Sequence, residues 1–274
     1  MINSIKLLTL NVSIFDENNE KLTQFLKETN PDIICLQEVT RKVDASALDS
    51  FISKGAIDKA VPRLSYSFYA PNWSLRDFKQ NNFHGEKVFQ QDFGGFIEYG
   101  NYIKSRFKII QGKSVFVQNH FSYMTDWEWM ENHPGDEPRM VQIADLELNS
   151  RQKLRLINYH GIWSKDKQGT KRTKSACQKL IQFAAEVTFP SIICGDFNLF
   201  PDTESIKILK EKFTSLVDKY NVSHTRPKTN ELSSAKRNVV DYIFTSKKIK
   251  IRSFKVINSD VSDHLPLLVE FSVK

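Results

Sequence analysis

Cysteine is scarce in this chain: Cys35, Cys177 and Cys194 are the only three in 274 residues, and no two form a CxxC pair. An odd, scattered set provides no disulfide framework, and a chain of this length needs no covalent staples to hold a core. Cys35 and Cys194 stand in apolar, strand-like runs, and Cys177 shares a helical face with Leu180, Ile181 and Ala184. Three buried, reduced thiols are expected, as in a reducing compartment. Long apolar runs are also missing. Nothing approaches the roughly 20 residues that span a bilayer, and "IKLLTLNV" near the N-terminus is too short for a signal peptide and reads as a strand. A cytoplasmic location is the expectation. No repeat, low-complexity tract or shift of composition marks a linker, so residues 1–274 are read as a single domain, a monomer.

What is present is ordinary for a soluble globular protein: 40% apolar and 26% charged residues, with a net charge of +7 that favours polyanionic partners. Strand patterns fall at 5–12, at "PDIICLQEV" ending in Gln37-Glu38, across 63–117, at 139–148 and 153–160, at "SIIC", and at 239–245, 249–257 and 266–273. Helical patterns fall at 17–29 (capped by Asp16), 44–53, 170–187 and 203–211. Residues 118–138 read as a long aromatic loop containing Trp127 and Trp129, and 221–237 as a polar, mobile one. The pattern predicts a large α/β fold with two mixed sheets packed together.

Five apolar strands share one habit: polar or acidic residues follow at the exit. They are "LTLN" with Asn11, "ICLQEV" with Glu38, "INYH" with His160, "GDFN" with Asp196 and Asn198, and "VSDHLPL" with Asp263 and His264. A sixth segment, "VVDYIF", puts Asp241 inside an apolar run, where an unpaired charge is costly. Strand ends of layered α/β folds converge on one rim, where active sites collect.

In this order the motifs resemble those of the endonuclease/exonuclease/phosphatase superfamily, Mg²⁺-dependent phosphodiesterases related to pancreatic-type deoxyribonuclease, from Leu8 to Leu267. The resemblance implies an α/β fold: a four-layer sandwich of two mixed β-sheets packed face to face and flanked by helices. It implies Glu38 as the main Mg²⁺ ligand, with Asn11 beside it and Asp263 on the metal side; Mn²⁺ is an alternative ion. It implies that Asp196 orients and deprotonates the attacking water, Asn198 and His264 contact the phosphate, and Asp241 orients His264. His160 takes the place of a histidine that donates a proton to the leaving group or hydrogen-bonds the phosphate. His84, His120, His133 and His224 lack metal-ligand spacing and read as surface residues.

After His160 comes "WSKDKQGTKRTK", in which Trp163, Lys165, Lys171 and Arg172 are candidates for a substrate edge with an aromatic platform; a plain solvated loop and helix start explains them equally well. The expected activity is phosphodiester hydrolysis by activated water, with DNA or RNA as substrate. A phosphatase or sphingomyelinase-like enzyme acting on a small phosphoester or phospholipid headgroup is the alternative. A non-catalytic binding module of the same fold is the third reading.

Overall fold

A computed structural model describes residues 4–13, 19–81, 88–124, 135–149, 152–227 and 238–274, apart from the side chains of 77–81, 88–92 and 124. Asp16, His84, Trp127, Trp129 and His133 lie outside the described residues. The strands are β1 (Ile5–Asn11), β2 (Ile33–Lys42), β3 (Tyr66–Asn81), β4 (Val88–Ser105), β5 (Lys108–Gln118), β6 (Tyr123–Met124), β7 (Arg139–Asn149), β8 (Gln152–Tyr159), β9 (Ser191–Asp196), β10 (Thr214–Ser215), β11 (Asp241–Thr245), β12 (Ile249–Val256) and β13 (Leu267–Val273). The α-helices are α1 (Asn19–Thr29), α2 (Ser53–Ala60), α3 (Lys171–Ala185), α4 (Glu204–Lys210) and α5 (Leu216–Lys219).

The strands form a seven-stranded sheet in the order β12-β13-β1-β2-β4-β3-β6 and a six-stranded sheet in the order β10-β11-β9-β8-β7-β5. Both are mixed: β1 runs parallel to β2 and antiparallel to β13, and β8 runs parallel to β9 while β9 and β11 are antiparallel. The central strands are buried on both faces, which is why they read as nearly continuous apolar runs. Alternation sorts their side chains. Leu8, Leu10, Ile34 and Leu36 pack with Leu22 and Leu26 of α1 and Ile57 of α2. Ile5, Leu7, Ile33 and Cys35 belong instead to the main core shared with β8 and β9, where Cys35 meets Cys194 across the sheets. Ala176, Cys177, Leu180 and Ala184 of α3 join that core from the other side. The result is a four-layer α/β sandwich.

Between the sheets the core is crossed by a column of amides. Gln37 Nε2 donates to Asn158 Oδ1 (2.7 Å), Asn158 Nδ2 donates to Gln142 Oε1 (3.0 Å), and Gln142 Nε2 donates to the Phe68 (2.7 Å) and Asn101 (3.2 Å) carbonyls. Gln37 and Asn101 stand on the seven-stranded sheet, Gln142 and Asn158 on the other.

Three expectations need correction. No α-helix covers 44–53; a turn and a short 3₁₀ segment (Asp49–Phe51) lead into α2 at Ser53, because Phe51 is drawn into a cluster with Trp73 and Phe93. β2 does not stop at Glu38 but continues to Lys42 through a bulge between Leu36 and Val39. In the polar loop read as 221–237, residues 221–227 are tied down by a bridge between His224 and Asn238 and by the buried Thr225.

Candidate active site

The site is where the inward-facing stripes of the two sheets turn polar. On β1 the stripe runs Ile5, Leu7, Thr9, Asn11, and on β9 it runs Ile192, Cys194, Asp196. The final residues of these stripes meet: Asn11 Nδ2 donates to Asp196 Oδ2 across the sheets at 3.2 Å and to Glu38 Oε1 at 2.9 Å. Asp241 lies directly opposite Asp196 in the β9–β11 ladder, so the two carboxylates arrive side by side. Glu38, next after inward-facing Gln37, would point to the helical layer in a regular strand. The β2 bulge and a left-handed φ of +60° at Glu38 re-aim it instead. Such a conformation costs a non-glycine residue about 1 kcal/mol or more and is concentrated at functional positions. Gly195 (φ +134°) is required at its position, because a Cβ there would stand 2.0 Å from the Tyr159 carbonyl.

Asp196 is almost fully buried and receives the Asn198 backbone N–H on Oδ1 (2.8 Å) and Asn198 Nδ2 on Oδ2 (3.3 Å). His160 Nε2 and His264 Nε2 each stand 3.6 Å from Oδ2. Burial alone would raise its pKa, but the positive charges around it, including His264, Arg226 and Lys167, outweigh that and hold the carboxyl well below the usual range. His264 Nδ1 bonds both Asp241 oxygens (2.9 and 3.0 Å), and Thr225 Oγ1 donates to Asp241 Oδ2 (2.7 Å). Burial opposes the charged form of His264, yet with Asp241 beside it the pKa rises to about 9. Asp241 itself is pushed up by burial, with His264 pulling the other way.

His160 is of the opposite kind. Burial, reinforced by Arg139, keeps its pKa well below 6.5 and the ring neutral. Arg139 Nη1 lies 3.2 Å and the Tyr99 hydroxyl 3.1 Å from Nδ1. A guanidinium only donates, so Nδ1 accepts and the ring proton sits on Nε2, facing Glu38 and Asp196. His160 can therefore donate a hydrogen bond into the site, and it is not a cationic acid.

The structure brings Asn11, Glu38, His160, Asp196, Asn198, Asp241 and His264 together. Asp263 is half exposed and pairs with Arg226 (3.2 Å). Arg226 also places Nη2 2.7 Å from His264 Nε2. In the basic segment, Lys165 and Lys171 are exposed, whereas Arg172 is paired with Asp136. Trp163 is not simply a platform: its ring carries the ammonium of Lys167 at 4.8 Å. Lys167 is buried and donates to Asn198 Oδ1 at 2.7 Å, and burial lowers its pKa to about 7.

Tyr99, Arg139, Thr225 and Arg226 are members of the site that lie outside the motifs, while Lys167 and Ser262 lie within quoted segments without an expected part in the site. Ser262 Oγ donates to the Asn11 carbonyl (2.7 Å) and accepts from the His264 N–H (3.1 Å), tying the last motif to the first. A signal existed for Arg139, a charge opening the apolar run of β7. None distinguished Lys167 from the lysines around it.

Asp196, Asp241 and His264 also bring candidate ligand atoms within 4.8 Å of one another. Their donors and acceptors are already engaged: Asp241 holds His264 Nδ1, and a guanidinium occupies Nε2. That group is better suited to handling protons than to holding a cation.

The endonuclease/exonuclease/phosphatase family matches residues 8–264. No curated protein matches the chain in sequence. Among solved structures, an endonuclease/exonuclease/phosphatase from Beutenbergia cavernae superposes with a TM-score of 0.73 at 14% identity, over 98% of this chain and 72% of that one. The human Nocturnin catalytic domain with bound sulfate anion gives 0.63 at 17% identity, over 99% and 94% of the two chains. Mannosyl-6-phosphatase from Bacteroides thetaiotaomicron gives 0.63 at 14% identity, over 98% and 99%. Identities this low establish a shared fold.

Proposed function

For a chain that belongs to the endonuclease/exonuclease/phosphatase family, we propose hydrolysis of a phosphoester by water held on Asp196. The observation that carries this reading is Asp196 itself: a buried, ionised carboxylate between two histidines, bonded to two asparagine amides. An ionised carboxylate accepts a hydrogen bond from water and aims its lone pair. With its pKa so low, Asp196 on its own is a weak base. It becomes a stronger one when the negative charge of a phosphate enters. Asn198, His160 through Nε2–H, and His264 supply donors for the phosphate oxygens, and Asp241 supports positive charge on His264 as charge develops.

The family's divalent metal fits Glu38, whose carboxylate is partly exposed at the site and offers hard anionic oxygens. Asn11 fits less directly, because its Oδ1 already accepts from the Ser13 N–H (3.0 Å) and its Nδ2 faces Glu38. Asp263 is turned to Arg226. Bound there, Mg²⁺ or Mn²⁺ would supply positive charge to stabilise the leaving oxygen.

A nucleic acid is the substrate class favoured by the net charge of +7 and the exposed Lys165 and Lys171. A small phosphoester is the second reading, favoured by the ion-pairing of Arg172 and Lys174 within the chain and by the mannosyl-6-phosphatase that shares the fold. The test is hydrolysis of p-nitrophenyl phosphate, bis-p-nitrophenyl phosphate, DNA and RNA with Mg²⁺, Mn²⁺ or EDTA, beside the Asp196→Asn variant. Metal-dependent cleavage that the variant lacks is expected; a variant as active as the parent overturns the assignment.

A further inference from the structure

Two loops far apart in sequence each place a cation beside a residue that would meet the phosphate, Lys167 fully buried and Arg226 partly so. Lys167 reaches Asn198 Oδ1 and Arg226 reaches His264 Nε2, both at 2.7 Å. Buried cations ordinarily sit against a carboxylate. Here the Lys167 ammonium has a neutral amide oxygen and the face of Trp163. Arg226 gives Nη1 to the half-exposed Asp263 and turns Nη2 inward to an imidazole. The backbone holds the lysine in place deliberately: Lys167 has a left-handed φ of +55°, its N–H bonds the Ser164 carbonyl (3.3 Å), and its carbonyl accepts from Phe200 (3.0 Å).

We propose that Lys167 and Arg226 form a two-cation clamp for a terminal phosphate, and that the site takes a dianionic phosphomonoester in preference to a phosphodiester. The proposal rests on the phosphoester reading above and specifies its substrate class. A diester carries one negative charge on two nonbridging oxygens, which Asn198 and His264 can meet. A monoester has a third such oxygen and a second charge, which call for further cations. An arginine fork can take two oxygens at once, while the lysine acts as a point charge. The groups that act on Lys167 are Asp196 and Glu137, which favour its charge, and Arg226 and Arg139, which oppose it; an arriving dianion shifts that balance toward the ammonium. The phosphate can belong to a small metabolite or to the phosphorylated end of an oligonucleotide.

The test compares phenyl phosphate with diphenyl phosphate by calorimetry on the full chain in EDTA, which reads binding without turnover. The parent should bind the monoester about tenfold or more tighter, and Lys167→Met and Arg226→Met should each remove most of that preference. Lys167→Arg should restore part of it. Equal affinities in the parent, or variants that weaken both ligands alike, overturn the clamp. Turnover is then read with p-nitrophenyl phosphate and bis-p-nitrophenyl phosphate. The variants should lose about 100-fold in kcat/KM on the monoester, mostly through KM, and less than about tenfold on the diester. If neither ester is hydrolysed while the binding preference and its loss in the variants hold, the hydrolase reading falls and the clamp stands. Orthophosphate release from a sugar phosphate or from a 5′-phosphorylated oligonucleotide identifies which source supplies the group.

Discussion

Asp196, His160 and His264 show how three similar-looking polar residues are assigned different work by what surrounds them. Asp196 is kept ionised, so Asp196→Asn should lower kcat by about 10³-fold or more. Its midpoint of urea unfolding should fall only modestly, since the amide oxygen keeps the Asn198 N–H while the new NH₂ faces the Asn11 and Asn198 amides in place of an acceptor. For His160, burial and then the arginine behind Nδ1 keep the ring neutral. Replacing it in Arg139→Met removes both the donor and the opposing charge, so the His160 pKa should rise toward 6.5, as read from its ring carbon NMR shifts against pH. An unchanged titration would mean that burial alone keeps the ring neutral.

At the scale of elements, the site depends on two local irregularities, the bulge that turns Glu38 inward and the glycine that lets β9 approach β8. Gly195→Ala sets a methyl against the Tyr159 carbonyl in a conformation that suits only glycine, and should cost about 3 kcal/mol of stability in chemical denaturation. The central strands, and the polar residues at their exits, were legible because each is a nearly continuous apolar run that ends abruptly in polar residues. Asn11 and Asp196 could be read as site residues because each ends an apolar stripe. Lys167 and Arg226 could not, because the contacts that bring them into the site, with Asn198 and His264, join segments that meet only in the folded chain. The helix expected over 44–53 failed for a related reason: Phe51 is claimed by Trp73 and Phe93, partners that a local window does not contain.

For the whole molecule, the buried cations leave a signature in stability against pH. The His264 pKa is raised from 6.5 to about 9, so its contribution is fully present below pH 6.5 and is lost as pH rises through 9. Lys167 is lowered from 10.5 to about 7, so its contribution is present above pH 10.5 and is lost as pH falls through 7. Between about pH 7 and 9 the two slopes oppose, and the urea midpoint of the parent should be nearly level. In Lys167→Met only the histidine slope remains, and the midpoint should decline steadily across that window.

The amide column between the sheets has a consequence of another sort. Oily faces tolerate sliding, whereas a hydrogen bond fails within a few tenths of an ångström, so Gln37, Asn158 and Gln142 work as an alignment gauge. One sheet brings Asn11 and Glu38 to the reaction and the other brings His160, Asp196 and Asp241. These are like the two halves of a mould, useful only while they stay in register. A Gln142→Leu substitution, at a residue that bonds no side chain of the site itself, fills its space and loosens the gauge. The protein would then stay folded and lose turnover, because a misplacement of about 1 Å is enough to cost roughly 100-fold in rate.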